Sequence, residues 1–185
     1  KVPVVVHEQN ALAGVANKVA ARFAKVVATS FPHTQLRGAR HIGLPVRKGI
    51  AILDRDAARV AAREALGLRA EGPTLLVSGG SQGAVAINTA VDGARDRLLA
   101  AGIDVLHVVG PKNMTDDLVA GTDPTTGARY LPVGYVDAME QAYAAADLMV
   151  GRSGAGTVME TALVGLPVVF VPLPHGNGEQ ARNAE

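Results

Sequence analysis

Ser153, Gly154, Gly156, Thr157 and Glu160 are the residues whose types and spacing point most directly to chemistry. They follow the apolar run Leu148–Val150, so a strand is expected to enter a tight glycine turn and then open a helix at Thr157. Backbone N–H groups at a helix N-terminus are unpaired and carry the positive end of the dipole, and glycine lets an anion approach the main chain. This layout suits a phosphate. The same residues also fit a capping box, in which the Thr157 hydroxyl and the Glu160 carboxylate satisfy backbone donors, and on this segment alone both readings stand. The next apolar run, Leu166–Leu173, ends in Pro-His-Gly-Asn-Gly-Glu-Gln. Ligands of open α/β sheets gather outside the carboxyl ends of strands, so polar residues there need a reason.

A second glycine turn, Ser78-Gly-Gly-Ser-Gln-Gly83, follows the strand-like run Thr74–Val77. It is not the GxGxxG dinucleotide fingerprint, because no clear strand-end acid follows about twenty residues later. It is not a Walker loop either, since no Gly-Lys-Ser/Thr follows. What remains is a phosphate-bearing ligand held by backbone amides and small side chains. His7 reads first as a capping or core histidine, and His175 equally as that or as a contact. No group of residues has metal-ligand spacing. No cofactor is expected, and a divalent ion would accompany a diphosphate rather than be held by the protein.

The elements that must position these turns alternate in type. Val2–Val6 reads as a buried strand, followed by His7-Glu-Gln-Asn10 and a helical pattern over Gly14–Lys25. In that pattern Val15, Val19 and Phe23 form one stripe, and Lys18, Arg22 and Lys25 form a basic one beside it. Short strands are expected over Lys25–Ser30 and His41–Val46. Then come a helix over Asp54–Leu66 stopped by Gly67, the Thr74 strand, and a helix to about Ala101. A strand over Asp104–Val109, a weak helix over Met114–Ala120, a strand over Ala128–Val133 and a helix over Glu140–Ala146 lead into the Leu148 strand. Strands and helices at this spacing predict an α/β fold with a doubly wound parallel sheet. Because Lys1 is not a start Met and a helix is expected to be running at Glu185, more chain is expected at both ends.

Composition removes several function classes. With 3% aromatic residues the chain lacks stacking platforms in number, and nucleic acid is not an expected partner. The absence of Cys excludes thiol catalysis and a disulfide framework. No apolar run approaches the roughly 18 residues of a membrane span. The net charge of +1 hides an asymmetry: residues 1–50 carry eight Lys or Arg against one acid, and residues 51–185 carry ten against sixteen. Such a basic segment suits diphosphate, lipid headgroups or an acidic partner domain, or is simply a solvated face.

Taken together, HEQNALAGVANK, GLPVRK, GGSQGAVAIN, VGYVDAMEQAYAAADLMVGRSGAGTVMET and GLPVVFVPLPH with Glu179-Gln180 resemble, in that order, the MurG family. These are peptidoglycan glycosyltransferases that move N-acetylglucosamine from UDP-GlcNAc onto lipid I to make lipid II. The resemblance covers essentially the whole chain. It implies the glycosyltransferase B architecture, with a Rossmann-like donor domain over 50–185 and, over 1–49, the tail of a second Rossmann-like (acceptor) domain with the interdomain linker. It also implies an inverting hexosyltransferase located peripherally on the cytoplasmic face of the bacterial cell membrane. UDP-GlcNAc, lipid I and the anionic inner-membrane surface are the implied partners.

The resemblance assigns UDP-GlcNAc contacts to Asn10, Arg47, Ser81, Val136, Ala155, Gly156, Thr157, Val158, Met159, Glu160 and Gln180. Arg47 would approach the diphosphate, whose oxygens suit a guanidinium fork. Ser81 would meet the same group, and Val136 would offer its backbone to the uracil edge. Ala155–Thr157 would bring the helix N-terminus to phosphate, with Glu160 accepting the ribose hydroxyls. Asn10 would reach towards the donor, and Gln180 would bond the sugar. Two positions depart from the common pattern. Leu44 stands where many members have Asn, and Glu179 replaces the first Gln of a pair, which makes it acceptor-only. The catalytic base is not assigned. It is expected in upstream sequence with a glycine-rich, His-bearing loop, so the 185 residues alone are expected to bind donor without turnover. A UDP-GlcNAc 2-epimerase-like enzyme and a UDP-sugar-binding module are the alternatives.

Overall fold

The computed structural model describes residues 2–80, 84–174 and 176–185. The chain divides into two compact units: one of Lys1–Val46, Ser153–Met159 and Pro172–Glu185, the other of Arg47–Arg152 and Glu160–Val171. In the first unit, strands β1 (Val5–Glu8), β2 (Val26–Thr29) and β3 (Ala39–His41) form a parallel sheet in that order, with helix α1 (Val15–Ala20) joining β1 to β2.

Three boundaries here differ from expectation. β1 starts at Val5, where its ladder with Val26 of β2 begins, because Pro3 has no N–H to contribute. α1 ends five residues early: the Arg22 and Phe23 N–H groups donate to Val19 and Ala20, the i to i+3 pattern that closes a last turn. Only Lys18 of the basic stripe is therefore on the helix, and Val15 and Phe23 are 77% and 80% exposed rather than inward-facing. After His41, Gly43 at φ +78° turns the chain ahead of Pro45, so no strand runs on to Val46.

The second unit begins with α2 (Lys48–Ala51), a short helix that the sequence pattern does not announce, and α3 (Arg55–Ala65). Asp54 caps α3 by accepting from the Ala57 N–H at 3.1 Å. Then follow β4 (Thr74–Ser78), α4 (Val85–Ala100), β5 (Asp104–Val108), β6 (Gly121–Thr122), β7 (Arg129–Val133), α5 (Met139–Ala145), β8 (Leu148–Gly151), α6 (Ala155–Leu163), of which the residues up to Met159 count with the first unit, and β9 (Val168–Phe170). Helix α7 (Glu179–Asn183) belongs to the first unit. The weak helix expected over Met114–Ala120 does not form. A 3-10 turn at Pro111–Asn113 leads instead to β6, which pairs antiparallel with the edge of β7.

The sheet order is β6-β7-β5-β4-β8-β9, parallel apart from β6. The chain moves outward from β4 through β5 to β7, then returns to lay β8 and β9 on the other side of β4. This is doubly wound topology, and its strand order reverses between β4 and β8. Central strands β4 and β5 are buried along their whole length, as a sheet covered on both faces requires. Ile87, Val91 and Leu99 of α4 pack on Leu75, Val77 and Val105. Leu131 points the other way from its neighbour Tyr130 and joins Ala62 of α3 with Ala144 and Ala145 of α5 in a second cluster.

Charged clusters fasten the amino ends of these strands. Asp104, 1% exposed, accepts from the Arg69 N–H and guanidinium and from the Arg129 N–H. Asp147 accepts from Arg59, Arg63 and the Thr74 N–H. The carboxyl ends carry the glycine turns instead. Among the described residues no helix is long and apolar enough to cross a membrane.

Candidate functional site

The reversal of strand order puts the carboxyl ends of β4 and β8 side by side. β4 pairs with β8 so that Ser78 stands opposite Gly151, and both strands end there, β4 leading into Gly79-Gly80. In doubly wound sheets the crevice at such a switch point is where ligands bind. Two glycines show why the type is needed. A Cβ on Gly151 would lie 2.8 Å from the Ser78 carbonyl oxygen, so only glycine lets the strands meet there. Gly80 sits at φ +82° with its N–H 3.3 Å from Ser78 Oγ, a turn that L-residues rarely adopt. Ser81 lies outside the described residues, as does His175.

α6 begins at Ala155, two residues before the expected start. The Val158 N–H already donates to the Gly154 carbonyl at 3.0 Å, so Gly154 opens the helix and Thr157 is not its N-cap. Ala155 is buried, while Gly156, Thr157, Val158, Met159 and Glu160 are half-buried along the first turns. Gly156 has no φ requirement, and a Cβ placed there would meet nothing within 4 Å among the described residues. No neighbour among the described residues accounts for glycine at this helical position, where it is less favourable than alanine by about 0.5–1 kcal/mol.

Within the second unit Glu160 has a definite partner. The Tyr143 hydroxyl donates to Glu160 Oε2 at 2.8 Å, and Tyr143 is 2% exposed. Burial first, then the neighbouring Glu160 charge and hydrogen bond, push the Tyr143 phenol above its ordinary range, so it stays a neutral donor. The positive charge of Arg47 acts on the same phenol in the opposite direction. The Arg47 guanidinium also donates to the Asp137 carbonyl at 3.3 Å, next to Val136 in the β7–α5 connection. Arg47, Val136 and Glu160, far apart in sequence, thus come together around α5. Gly49 at the start of α2 contributes: a Cβ there would come within 3.0 Å of the Glu140 side chain.

The first unit gathers the remaining residues by internal hydrogen bonds. Asn10 Oδ1 accepts from the Asn183 amide at 3.1 Å, and Asn183, 2% exposed, also accepts from the Ala11 N–H and donates to the Ser153 carbonyl. Ser153, fully buried, donates to the Gln180 carbonyl at 2.7 Å. Gln180 Oε1 accepts from the Leu173 N–H at 3.0 Å, so its amide nitrogen is the end left to donate. Buried Glu8 accepts from the Asn10 and Gly14 N–H groups and from Asn17. Burial raises its pKa, but these bonds prevail and hold the carboxyl below its usual range.

Tyr143, Asn183 and Glu8 hold candidate residues or their neighbours by hydrogen bonds, and the sequence reading does not single them out. The one available signal for Tyr143 is a large polar-tipped side chain inside the run Gln-Ala-Tyr-Ala-Ala-Ala. For Asn183 and Glu8 no local pattern distinguishes them from surface polar residues.

Comparison with known proteins bears on this arrangement. Residues 74–185 match the glycosyltransferase family 28 C-terminal domain. A Cutibacterium acnes protein named UDP-N-acetylglucosamine--N-acetylmuramyl-(pentapeptide) pyrophosphoryl-undecaprenol N-acetylglucosamine transferase is 63% identical, over all of this chain and 51% of its own length. Its namesake from Mycobacterium ulcerans is 50% identical, over 100% and 46%. The chain spans about half the length of the curated relatives it matches. The crystal structure of Acinetobacter baumannii MurG superimposes with a TM-score of 0.68 at 33% identity, covering 99% of this chain and 50% of that one. The glycotransferase of kitacinnamycin, at TM-score 0.55 and 18% identity over 87% and 39%, shares the fold. The architecture is therefore of the glycosyltransferase B type, with a Rossmann-like unit matching the C-terminal domain of these enzymes. With its glycine turns at the switch point and its match over 74–185, the chain belongs to glycosyltransferase family 28.

Proposed function

We propose that the full-length protein transfers N-acetylglucosamine from UDP-GlcNAc to lipid I, making lipid II with inversion at the anomeric carbon. The observation that carries this reading is the β4–β8 switch point, where Ser78 stands opposite Gly151, with Glu160 and Arg47 held on the same unit. In this reading residues 1–49 belong to the acceptor side and residues from 50 onward to the donor side.

Glu160 accepts the ribose hydroxyls, Val136 offers its backbone to the uracil edge, and Arg47 faces the diphosphate. The first turn of α6, Ala155 to Thr157, presents its N–H groups to phosphate, and Gly156 leaves the room that this approach needs. The acceptor hydroxyl attacks the anomeric carbon in line as the bond to the UDP oxygen breaks. The proton goes to a base that these residues do not supply. N–H groups and Arg47 stabilise the charge developing on the leaving diphosphate, a term often worth several kcal/mol.

Membrane association is part of the same proposal. Exposed Val15, Val19 and Phe23 are interleaved along the chain with exposed Lys18, Arg22 and Lys25, a mixture of apolar and basic groups suited to the anionic cytoplasmic face of the cell membrane. The test is transfer of labelled GlcNAc from UDP-GlcNAc to lipid I by the full-length protein. Labelled lipid II is the expected product. Release of a labelled epimer, or binding with no product, would overturn the assignment in favour of an epimerase or a binding module.

A further inference from the structure

Glu160 does not stand alone: it is the last member of a chain of contacts that begins on α3. Arg55 donates from Nε to the Tyr143 carbonyl at 3.0 Å, and from its two terminal nitrogens to the Gly165 and Ala146 carbonyls at 2.8 and 2.6 Å. These carbonyls lie at the C-terminal end of α5 and in the turn after α6. A single guanidinium thus fixes the spacing of the two helices, from whose facing sides the Tyr143 hydroxyl reaches Glu160 Oε2 at 2.8 Å. Tyr143 is enclosed, 2% exposed, while Glu160 is half-buried and so can meet a ligand on its remaining acceptor positions.

A glutamate side chain has three rotatable bonds, and ordering such a chain opposes any contact it makes. A vicinal diol is recognised well only when both acceptor directions of the carboxylate are already set, because preorganisation lowers the ordering loss on binding. Tyr143 supplies that setting by occupying one lone pair of Oε2 and fixing the plane of the carboxylate. The hydroxyl also makes Glu160 a poorer site for a ligand that offers only one hydroxyl, since the carboxylate cannot swing to compensate.

We propose that Tyr143, anchored through Arg55, is the positioning residue that orients Glu160 and sets the preference of this site for a ribose cis-diol over a 2′-deoxyribose. This rests on the reading that Glu160 accepts the ribose hydroxyls. Tyr143 itself touches no ligand in this proposal.

The experiment measures dissociation constants for UDP and 2′-deoxy-UDP with the full-length protein, its Tyr143→Phe and Glu160→Gln variants, and the double variant. A site-specific 3-fluorotyrosine at 143 serves as a second replacement that keeps ring and hydroxyl. Tyr143→Phe is expected to weaken UDP about tenfold, the size of one charge-assisted hydrogen bond, and 2′-deoxy-UDP much less, so that discrimination falls. Fluorotyrosine should preserve it, and Tyr143→Phe should add little once Glu160 is Gln. A general packing defect would weaken both ligands equally, because each is bound by the same folded fraction.

If Tyr143→Phe leaves the UDP to 2′-deoxy-UDP ratio intact while Glu160→Gln lowers it, the positioning role is wrong and the ribose assignment stands. If Glu160→Gln also leaves the ratio intact, the underlying ribose assignment is wrong. Should the Phe variant not fold, loss of discrimination with fluorotyrosine at 143 would overturn the proposal, since the hydroxyl is then present and still fails.

Discussion

Replacing Gly156 by Ala separates a structural glycine from a ligand-facing one, because the two roles give opposite signs. Gly156 is the second residue of α6, its φ is in the ordinary range, and the added methyl would meet nothing within 4 Å among the described residues. On folding alone, then, Ala should stabilise the protein by about 0.4–1 kcal/mol through the smaller entropy of its unfolded chain. In a protein of this size that is a rise in Tm of a few degrees, about 2–4 °C per kcal/mol. If a phosphate oxygen approaches this turn, the methyl occupies its path and one or more charge-assisted bonds from N–H groups lengthen. Each is worth about 1.5–3 kcal/mol, so UDP should bind roughly ten- to a hundredfold more weakly. Thermal melting of the free protein and calorimetric titration with UDP on the same sample give both numbers. A stabilised variant that binds UDP as well as the parent would refute phosphate contact at this turn.

Three further outcomes are expected. Glu160→Gln should weaken UDP by about 1.5–3 kcal/mol in a titration, because an ionised acceptor of two hydroxyls becomes neutral. His107 is fully buried between the Tyr130 hydroxyl at 2.9 Å and the Asn88 carboxamide at 3.1 Å, and burial lowers its pKa to about 4. Its unfolded value is higher, so the unfolded state takes up the extra proton and stability is lost as pH falls from about 6.5 towards 4. The loss should reach about 3 kcal/mol. Urea unfolding at pH 7 and pH 4.5 should show it, and a His107→Gln variant should lack that component. Arg55→Ala removes donors from three carbonyls, and the loss of about 2–3 kcal/mol should be read from the urea midpoint at constant m.

The sequence carries the alternation of strands and helices plainly, because β4 and β5 are short, mainly apolar runs with glycines close on either side. It also carries the turns themselves. Which strand ends meet it does not carry: Ser78 and Gly151 become neighbours only through the reversal of strand order, which no local pattern encodes. The contact between Tyr143 and Glu160 is hidden for the same reason, since each lies on its own helix and the two meet by packing.

Local patterns misled where a competing interaction decided the boundary. Thr157-Val-Met-Glu160 fits a capping box, yet the Val158 N–H reaches Gly154 and the helix opens there, while Ser153 spends its hydroxyl on Gln180. The Val15, Val19 and Phe23 stripe has helical spacing, but α1 closes at Ala20 so that the chain can enter β2 at Val26. Periodicity names an apolar face and leaves open what covers it.

The central claim is that this glycosyltransferase unit binds a uridine diphosphate at its switch point. Calorimetric titration of the protein with UDP, UDP-GlcNAc, ATP and NAD tests it most directly. UDP and UDP-GlcNAc are expected to bind, with ATP and NAD weaker by tenfold or more, about 1.4 kcal/mol. Equal or tighter binding of ATP would contradict the claim.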